Sequence, residues 1–354
     1  MLHRYTLFVL VLLYLVLLVQ FFREKHRVSG APWVLAAMIV WPFILTDEWL
    51  RAFGQDAAGL SVLTVFTPLL SLTLLYRSVK LLVIDNARPS KLLLWLPVAL
   101  ALLAEIPLFF VSAEEKAQWL ISSPTGHPLD NWHIYLVYMV TGFGILVLGI
   151  LITELIQNYH RYLSSQVADV REFRVQWLGG AMGVTVGLAF CCILLVTAGA
   201  FGFFDIHFWQ SLFNLLFAIA LLQTFIAVIR PQHTSPSPLD YHRLDDLKAE
   251  QCIMREALVK AEQTMTDAEA YKSPGLQLKA FAGQCHVDPT TLVIALRLLE
   301  KRDFRSFVYQ YRLAYAKNEL LGSDDSLAAQ AKRFGVHSEQ FLSGVMMNHM
   351  RKQR

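Results

Sequence analysis

Charge is what this sequence has least of. Asp, Glu, Lys and Arg make up 17% of the chain, against about a quarter in an ordinary soluble domain. The shortage is concentrated before Arg230, and the segment beyond it is densely charged. A water-soluble fold for the first part is therefore excluded, and the mean hydropathy of +0.44 averages two unlike regions. Cysteine is also scarce. Cys191, Cys192, Cys252 and Cys285 show no CxxC spacing, so neither a metal knuckle nor a disulfide framework is indicated. There is no HExxH, no glycine-rich phosphate loop, no nucleophile–base pair and no paired inverted repeat. Catalysis and a bound cofactor are not expected. The net charge of +3 is too small to imply a nucleic-acid partner by itself.

Long apolar runs are what the first part has instead. A helix needs roughly 20 apolar residues to cross a bilayer core. Seven runs qualify or nearly qualify: Tyr5–Phe22, Ala31–Thr46, Leu60–Tyr76, Leu92–Val111, Ile134–Thr153, Trp177–Phe201 and Phe208–Ile229. The second and third are the shortest, within reach of tilt or flanking anchors. In lipid each must be a helix, because other backbone conformations leave polar groups unpaired. The first run lacks a signal peptide's basic start and small-residue cleavage site, so it reads as a retained span.

Loop charges set the direction. Arg23, Lys25, Arg27, Arg77, Lys80, Arg88, Lys91, Arg161, Arg171 and Arg174 fall on one side; Arg4, Arg51 and Lys116 fall on the other. The second side carries acids instead, among them Asp47, Glu48, Asp56, Glu114, Glu115, Asp130 and Asp205. The expected arrangement has the N-terminus outside and the C-terminal tail in the cytoplasm.

Polar residues inside the spans are costly and therefore functional candidates. Glu105, between Pro97 and Pro107, and Asn214 sit at similar depths; Trp41-Pro42 and Thr67-Pro68 predict kinks. Glu105, Asn214 and Trp41 together form a candidate pocket for a signal ligand whose identity is not legible. The plainer alternative is a Glu105 that is protonated or bonded to a neighbouring helix. The spacing of His127, Asp130 and His133 could suit a metal on a helix, but Pro128 and Trp132 favour an interfacial role.

At Arg230 the stretch "RPQHTSPSPL" predicts a stiff, polar exit from the membrane. Leu244, Leu247, Gln251, Met254, Leu258, Ala261, Met265 and Ala268 then recur at helical spacing. The stripe over Leu244–Ala268 is either a parallel seam that makes a homodimer or one face of a single amphipathic helix packed on the C-terminal domain. From Ser273 onward the pattern is short helices: Leu278–Gln284, Thr290–Lys301 after an Asp288-Pro289 cap, a longer Phe304–Leu321, Leu327–Phe334, and Ser338–Met350 after a turn at Gly335.

Two helix-turn-helix units bridged by one long helix resemble the DNA-binding domain of AraC-type transcriptional regulators. The resemblance covers roughly the last 85 residues. It rests on Leu276, Leu278, Ala282, Val287 and Leu292 in the first unit. Along the bridge it rests on Phe304, Phe307, Arg312-Leu313, Ala316 and Leu320-Leu321, and in the second unit on Ser326-Leu327, Ala331 and Gly335. The implied fold is all-α: a seven-helix transmembrane bundle over 1–230, a linker and amphipathic helix over 231–272, and a cytoplasmic AraC-type double helix-turn-helix over 273–354. The implied protein is a one-component regulator in a bacterial cytoplasmic membrane, with the lipid bilayer and double-stranded DNA as partners.

The resemblance also implies roles for residues. Base-reading candidates are Thr290, Thr291, Val293, Ile294, Arg297, Gln340 and Ser343. Phosphate-contact candidates are Arg302, Arg305, Lys332, Arg333, Ser338, Arg351 and Lys352, in a tail with a basic surplus. The departures are specific. His286 and Lys301 stand where the family usually has glycine, Gly344 where an arginine is common, and Leu342 and Met346 where it has an aromatic pair. Bidentate base readout wants Arg, Lys, Asn or Gln, and few candidates supply it. This shortage supports a second reading, in which the helix-turn-helix scaffold serves as a protein-interaction module.

Overall fold

A computed structural model describes residues 2–54, 64–84, 92–121, 132–203, 206–230, 234–237 and 251–320. Among the described residues there is no β-strand, only two isolated bridges between single residues. The chain divides into two units: Met1–Leu82, Ala87–Gln157 and Val175–Gln232 form unit 1, and Val83–Asn86, Asn158–Arg174 and His233–Arg354 form unit 2.

Unit 1 is built of long apolar helices. α1, Leu2–Glu24, has 23 residues, about 35 Å at 1.5 Å per residue and enough for a bilayer core. Phe8, Val9, Leu12, Val16 and Val19 are exposed along it, a lipid-facing surface rather than a watery one. The second predicted run is broken into three pieces: α2 (Ala31–Val40), a 3-10 turn (Trp41–Leu45) and α3 (Thr46–Phe53). Pro42 causes the break, since it has no N–H to continue the α-helical ladder. α2 itself starts behind Gly30 at φ 70°.

α4, Thr67–Val83, differs from the predicted Leu60–Tyr76. Thr67-Pro68 opens the helix instead of kinking it, because proline fits the first turn where its missing N–H is not needed. The helix has 17 residues and carries Arg77 and Lys80. α5 is Leu96–Phe109, α6 is Ala113–Ile121, α7 is Trp132–Tyr162, α8 is Gln176–Ala200 and α9 is Ile206–Ile229. Among the described residues six helical stretches are long and apolar enough to cross a membrane: Arg4–Glu24, Ala31–Phe53, Leu92–Phe109, Trp132–Ser165, Gln176–Ala200 and Ser211–Ile229. The architecture is that of a membrane protein.

Small residues let these helices approach closely. A Cβ added at Gly149 of α7 would lie 2.8 Å from Val186 of α8, and one at Gly144 would lie 2.7 Å from Leu69 of α4.

Unit 2 is a small helical domain. α10 (Gln251–Asp267), α11 (Leu278–Gln284), α12 (Pro289–Leu298) and α13 (Phe304–Leu320) come in that order. Their shared core holds Phe281, Leu292, Leu296, Phe304, Phe307 and Val308. Met254, Leu258, Ala261 and Met265 of α10 belong to the same core. The apolar stripe is therefore used within the chain, as the single-amphipathic-helix reading requires. The upstream part of the seam, including Leu244 and Leu247, lies outside the described residues, as do the linker 238–250 and the second helix-turn-helix unit.

Candidate functional site

The first helix pair of unit 2 is assembled by local chemistry. α11 stops at Cys285, and the chain reverses through His286 at φ 53°. The Val287 N–H donates to the Ala282 carbonyl at 2.9 Å. Asp288 then caps α12, accepting from the Thr291 backbone N–H at 2.9 Å and its hydroxyl at 3.2 Å, with Pro289 in the first turn. α12 ends before Lys301, which lies at φ 54°. Asp303 caps α13 by accepting from the Ser306 N–H at 2.9 Å. Burial pushes the Asp303 carboxyl up, but hydrogen bonds from Ser306 and Ser164 outweigh it and hold the group below its usual range.

The expected base-reading residues fare unevenly. Thr290 and Thr291 are half-exposed, and the Thr291 hydroxyl is bonded to Asp288. Val293 and Ile294 are only 3% and 4% exposed. They lie in the core that α10 shares with α12, so they present nothing to a base, and their assignment as base readers is corrected. Their apolar side chains are drawn into the interior by the hydrophobic effect. Arg297 is exposed, with its guanidinium 5.7 Å from the centre of the Tyr162 ring. Gln340 and Ser343 lie outside the described residues.

Of the phosphate candidates, Arg302 is exposed and bonded to Gln310, and Arg305 is exposed over the Tyr309 ring at 5.2 Å. Lys332, Arg333, Ser338, Arg351 and Lys352 lie outside the described residues. Arg297 and Arg302 line a groove of about 670 Å³ with Lys301, Ser306, Arg161 at the end of α7 and Ser164 of the α7–α8 loop. The groove carries a basic excess and several hydroxyls, a lining that suits phosphate oxygens.

The α7–α8 loop is an integral part of unit 2, and sequence reasoning missed it. Arg312 of α13 is fully buried. Its Nη1 and Nη2 donate to the two carboxylate oxygens of Asp169 at 2.9 and 3.3 Å. Its Nε donates to the Tyr271 carbonyl at 2.7 Å and Nη2 also to the Ser273 carbonyl at 2.8 Å. Asp169 accepts in addition from the Gly275 N–H at 2.9 Å. Backbone bonds from Ala168 N–H to the Leu276 carbonyl and from Leu278 N–H to the Gln166 carbonyl continue the attachment. Arg312 stands out in the sequence only as part of a motif. Nothing local in the sequence marks Asp169, some 140 residues earlier, as its partner.

In unit 1 the three expected pocket residues are not gathered. Asn214 lines a cavity of about 50 Å³ with Asp47, Thr64, Tyr138, Thr141 and the apolar residues Ile44, Val65, Leu195 and Phe213. Glu105 and Trp41 are not part of that lining. Trp41 is structural: its indole N–H donates to the Ala218 carbonyl at 3.0 Å and its ring stacks on Tyr14 with centroids 4.9 Å apart. Glu105 is fully buried, with the Phe66 backbone N–H as the polar neighbour of its carboxylate.

Asp47 and Glu48, expected in an outer loop, instead lie on α3 and are 7% and 0% exposed. Arg51, one turn on, explains how they are tolerated. Its Nη1 donates to Glu48 at 2.6 Å and its Nε to the Leu120 carbonyl at 3.1 Å, while Ser211 donates to Glu48 at 2.7 Å. His133 stands at the start of α7 between Trp119 and Trp132; His127 and Asp130 lie outside the described residues. Among the described residues no cluster of His, Cys, Asp and Glu could hold a metal ion.

No protein-family model, no curated protein and no solved structure matches the chain.

Proposed function

We propose that the chain is a membrane-bound one-component transcriptional regulator of the AraC type, whose tail binds duplex DNA under control of its transmembrane region. The observation that carries this reading is the α11–turn–α12 pair followed by the long α13, on a chain with membrane-length helices. Support comes from His286 and Lys301. Both adopt left-handed backbone at the positions where the family usually has glycine, so the turn geometry is kept although the residue is not.

Contact with DNA is mainly to phosphate in this reading, through Arg297, Arg302 and Arg305, with Lys332, Arg333, Ser338, Arg351 and Lys352 from the second unit. Thr290, Thr291, Gln340 and Ser343 remain for the bases. Such a surface positions a protein on DNA more than it specifies sequence. α4 acts as a seventh crossing: its 17 residues span about 25 Å, and Arg77 and Lys80 snorkel to the interface. The N-terminus is then outside and the tail in the cytoplasm of a bacterial cell, with DNA bound by a dimer that pairs half-sites.

The test is a mobility shift of the full-length protein in lipid nanodiscs on duplex DNA at low salt. Binding that weakens steeply with salt and is reduced in Arg302→Ala/Arg305→Ala is the expected outcome. No shift at any salt would refute the reading.

The burial of Val293 and Ile294 favours a second reading, in which the scaffold binds a protein partner. Under that reading tail deletion abolishes a co-purifying protein and leaves DNA occupancy unchanged.

A further inference from the structure

We infer that Arg77 of α4 holds the phosphate of an anionic phospholipid, in a clamp formed with Trp33 and Trp95 of unit 1. The inference needs unit 1 to lie in a bilayer, as its membrane-length helices indicate, and needs nothing from the DNA-binding reading.

Helix ends meet around this side chain. α2 begins at Ala31, α4 runs to Val83, and a 3-10 turn over Leu92–Trp95 leads into α5. The Ser78 hydroxyl donates to the Ser29 carbonyl at 3.2 Å. A Cβ added at Gly30 would lie 3.1 Å from the Ser78 Cα. The start of α2 is therefore packed on the last turns of α4. Apolar helices of a bundle end where hydrocarbon gives way to headgroups, so Arg77 sits at the depth of lipid phosphates.

Two indoles close on the guanidinium. Its central carbon lies 4.5 Å from the centre of the Trp33 ring and 5.3 Å from that of Trp95. Both tryptophans are partly buried. Their faces attract the cation and fix its plane, which removes freedom that a loose side chain would lose on binding.

The clamp leaves the charge unanswered. Arg77 Nε is buried and has no hydrogen-bond partner among the described residues. Among the described residues no carboxylate pairs with the guanidinium either. Ring contacts return only part of the hydration that an ion gives up on burial. Arginine cannot escape by losing its proton. An anion brought by the surroundings completes the site.

Depth and shape name that anion. Phosphodiesters are the anions abundant at the headgroup level, and the planar fork of N–H donors matches two phosphate oxygens. Leu92, Leu93 and Leu96 are exposed around Trp95, an apolar surface suited to an acyl chain. A zwitterionic lipid carries its own ammonium beside its phosphate. An anionic lipid carries none, so its charge is left for Arg77.

The experiment uses the full chain in a neutral detergent. Phosphatidylglycerol, phosphatidylcholine with the same acyl chains, or inorganic phosphate is added to separate samples. Native mass spectrometry measures retained lipid, and the thermal midpoint is followed in parallel. Selective retention of phosphatidylglycerol is expected, with affinity roughly tenfold weaker in Arg77→Ala and only partly recovered in Arg77→Lys, which keeps the charge but not the fork. Trp95→Leu leaves the guanidinium in place and loosens the clamp. It weakens retention several-fold and serves if Arg77→Ala does not fold. Equal retention of the two lipids, stabilisation by inorganic phosphate alone, or phosphatidylglycerol retention unchanged in these variants would overturn the inference. So would an Arg77→Ala destabilisation of the same size with and without phosphatidylglycerol, since the partner of Arg77 would then belong to the chain itself.

Discussion

The Arg312 guanidinium and the Asp169 carboxylate form a two-pronged ion pair at 2.9 and 3.3 Å, with Arg312 fully buried and the Asp169 side chain 11% exposed. The pair joins the bridging helix of the tail domain to the loop that connects two membrane-length helices.

Breaking that pair is costly because the partner is left buried and charged. Arg312→Ala destabilises unit 2 by about 3–5 kcal/mol, measured by denaturant titration monitored at the tail's tyrosines. Arg312→Lys restores little, since an ammonium cannot span both oxygens and both carbonyls. A loss under about 1 kcal/mol would show the loop to be loosely attached.

His286 and Lys301 are the non-glycine residues that bracket α12 with positive φ, at 53° and 54°. His286→Gly and Lys301→Gly each relieve strain of about 1 kcal/mol, partly offset by the greater freedom glycine has when unfolded. Each single change raises the thermal midpoint of unit 2; a fall would contradict the assigned backbone.

Ile294 separates core from interface. Ile294→Ala lowers stability by about 2–5 kcal/mol if the residue is core. Ile294→Arg disrupts folding for the same reason. Stable Ile294→Arg protein with tighter DNA binding would return this position to the base-reading surface.

The caps carry a pH signature. The Asp303 carboxyl is held below its ordinary value of 3.8 because Ser306 and Ser164 outweigh its burial. A depressed carboxylate pKa stabilises fully above the unfolded value, and the contribution is lost as pH falls through the lower folded value. Unit 2 therefore loses stability below about pH 4, and Asp303→Asn flattens that limb of the profile while lowering stability at neutral pH.

Much of this fold is legible in the sequence because its strongest signals are periodic. The Leu278–Gln284 helix and the Asp288-Pro289 start of α12 are readable from cap chemistry, and the apolar runs from length alone. Boundaries fail where local rules compete. Pro68 reads equally as a kink or as a helix start, and only the packed chain decides between them. Position within a motif puts Val293 and Ile294 on DNA, while their own apolar character points inward. Asp47 and Glu48 read as loop acids because charge in a span is expensive, and the compensating Arg51 reads as one more loop charge. Asp169 carries no local signal; it acquires meaning from residues distant in sequence.

The most direct measurement is the salt dependence of duplex binding by the full-length protein in nanodiscs. The account requires the logarithm of the binding constant to fall linearly with the logarithm of salt, at a slope of about −0.9 per phosphate contact, and a shallower slope in Arg302→Ala/Arg305→Ala. Absence of binding at low salt, or a slope unchanged by that double substitution, would contradict a tail that grips DNA through these residues.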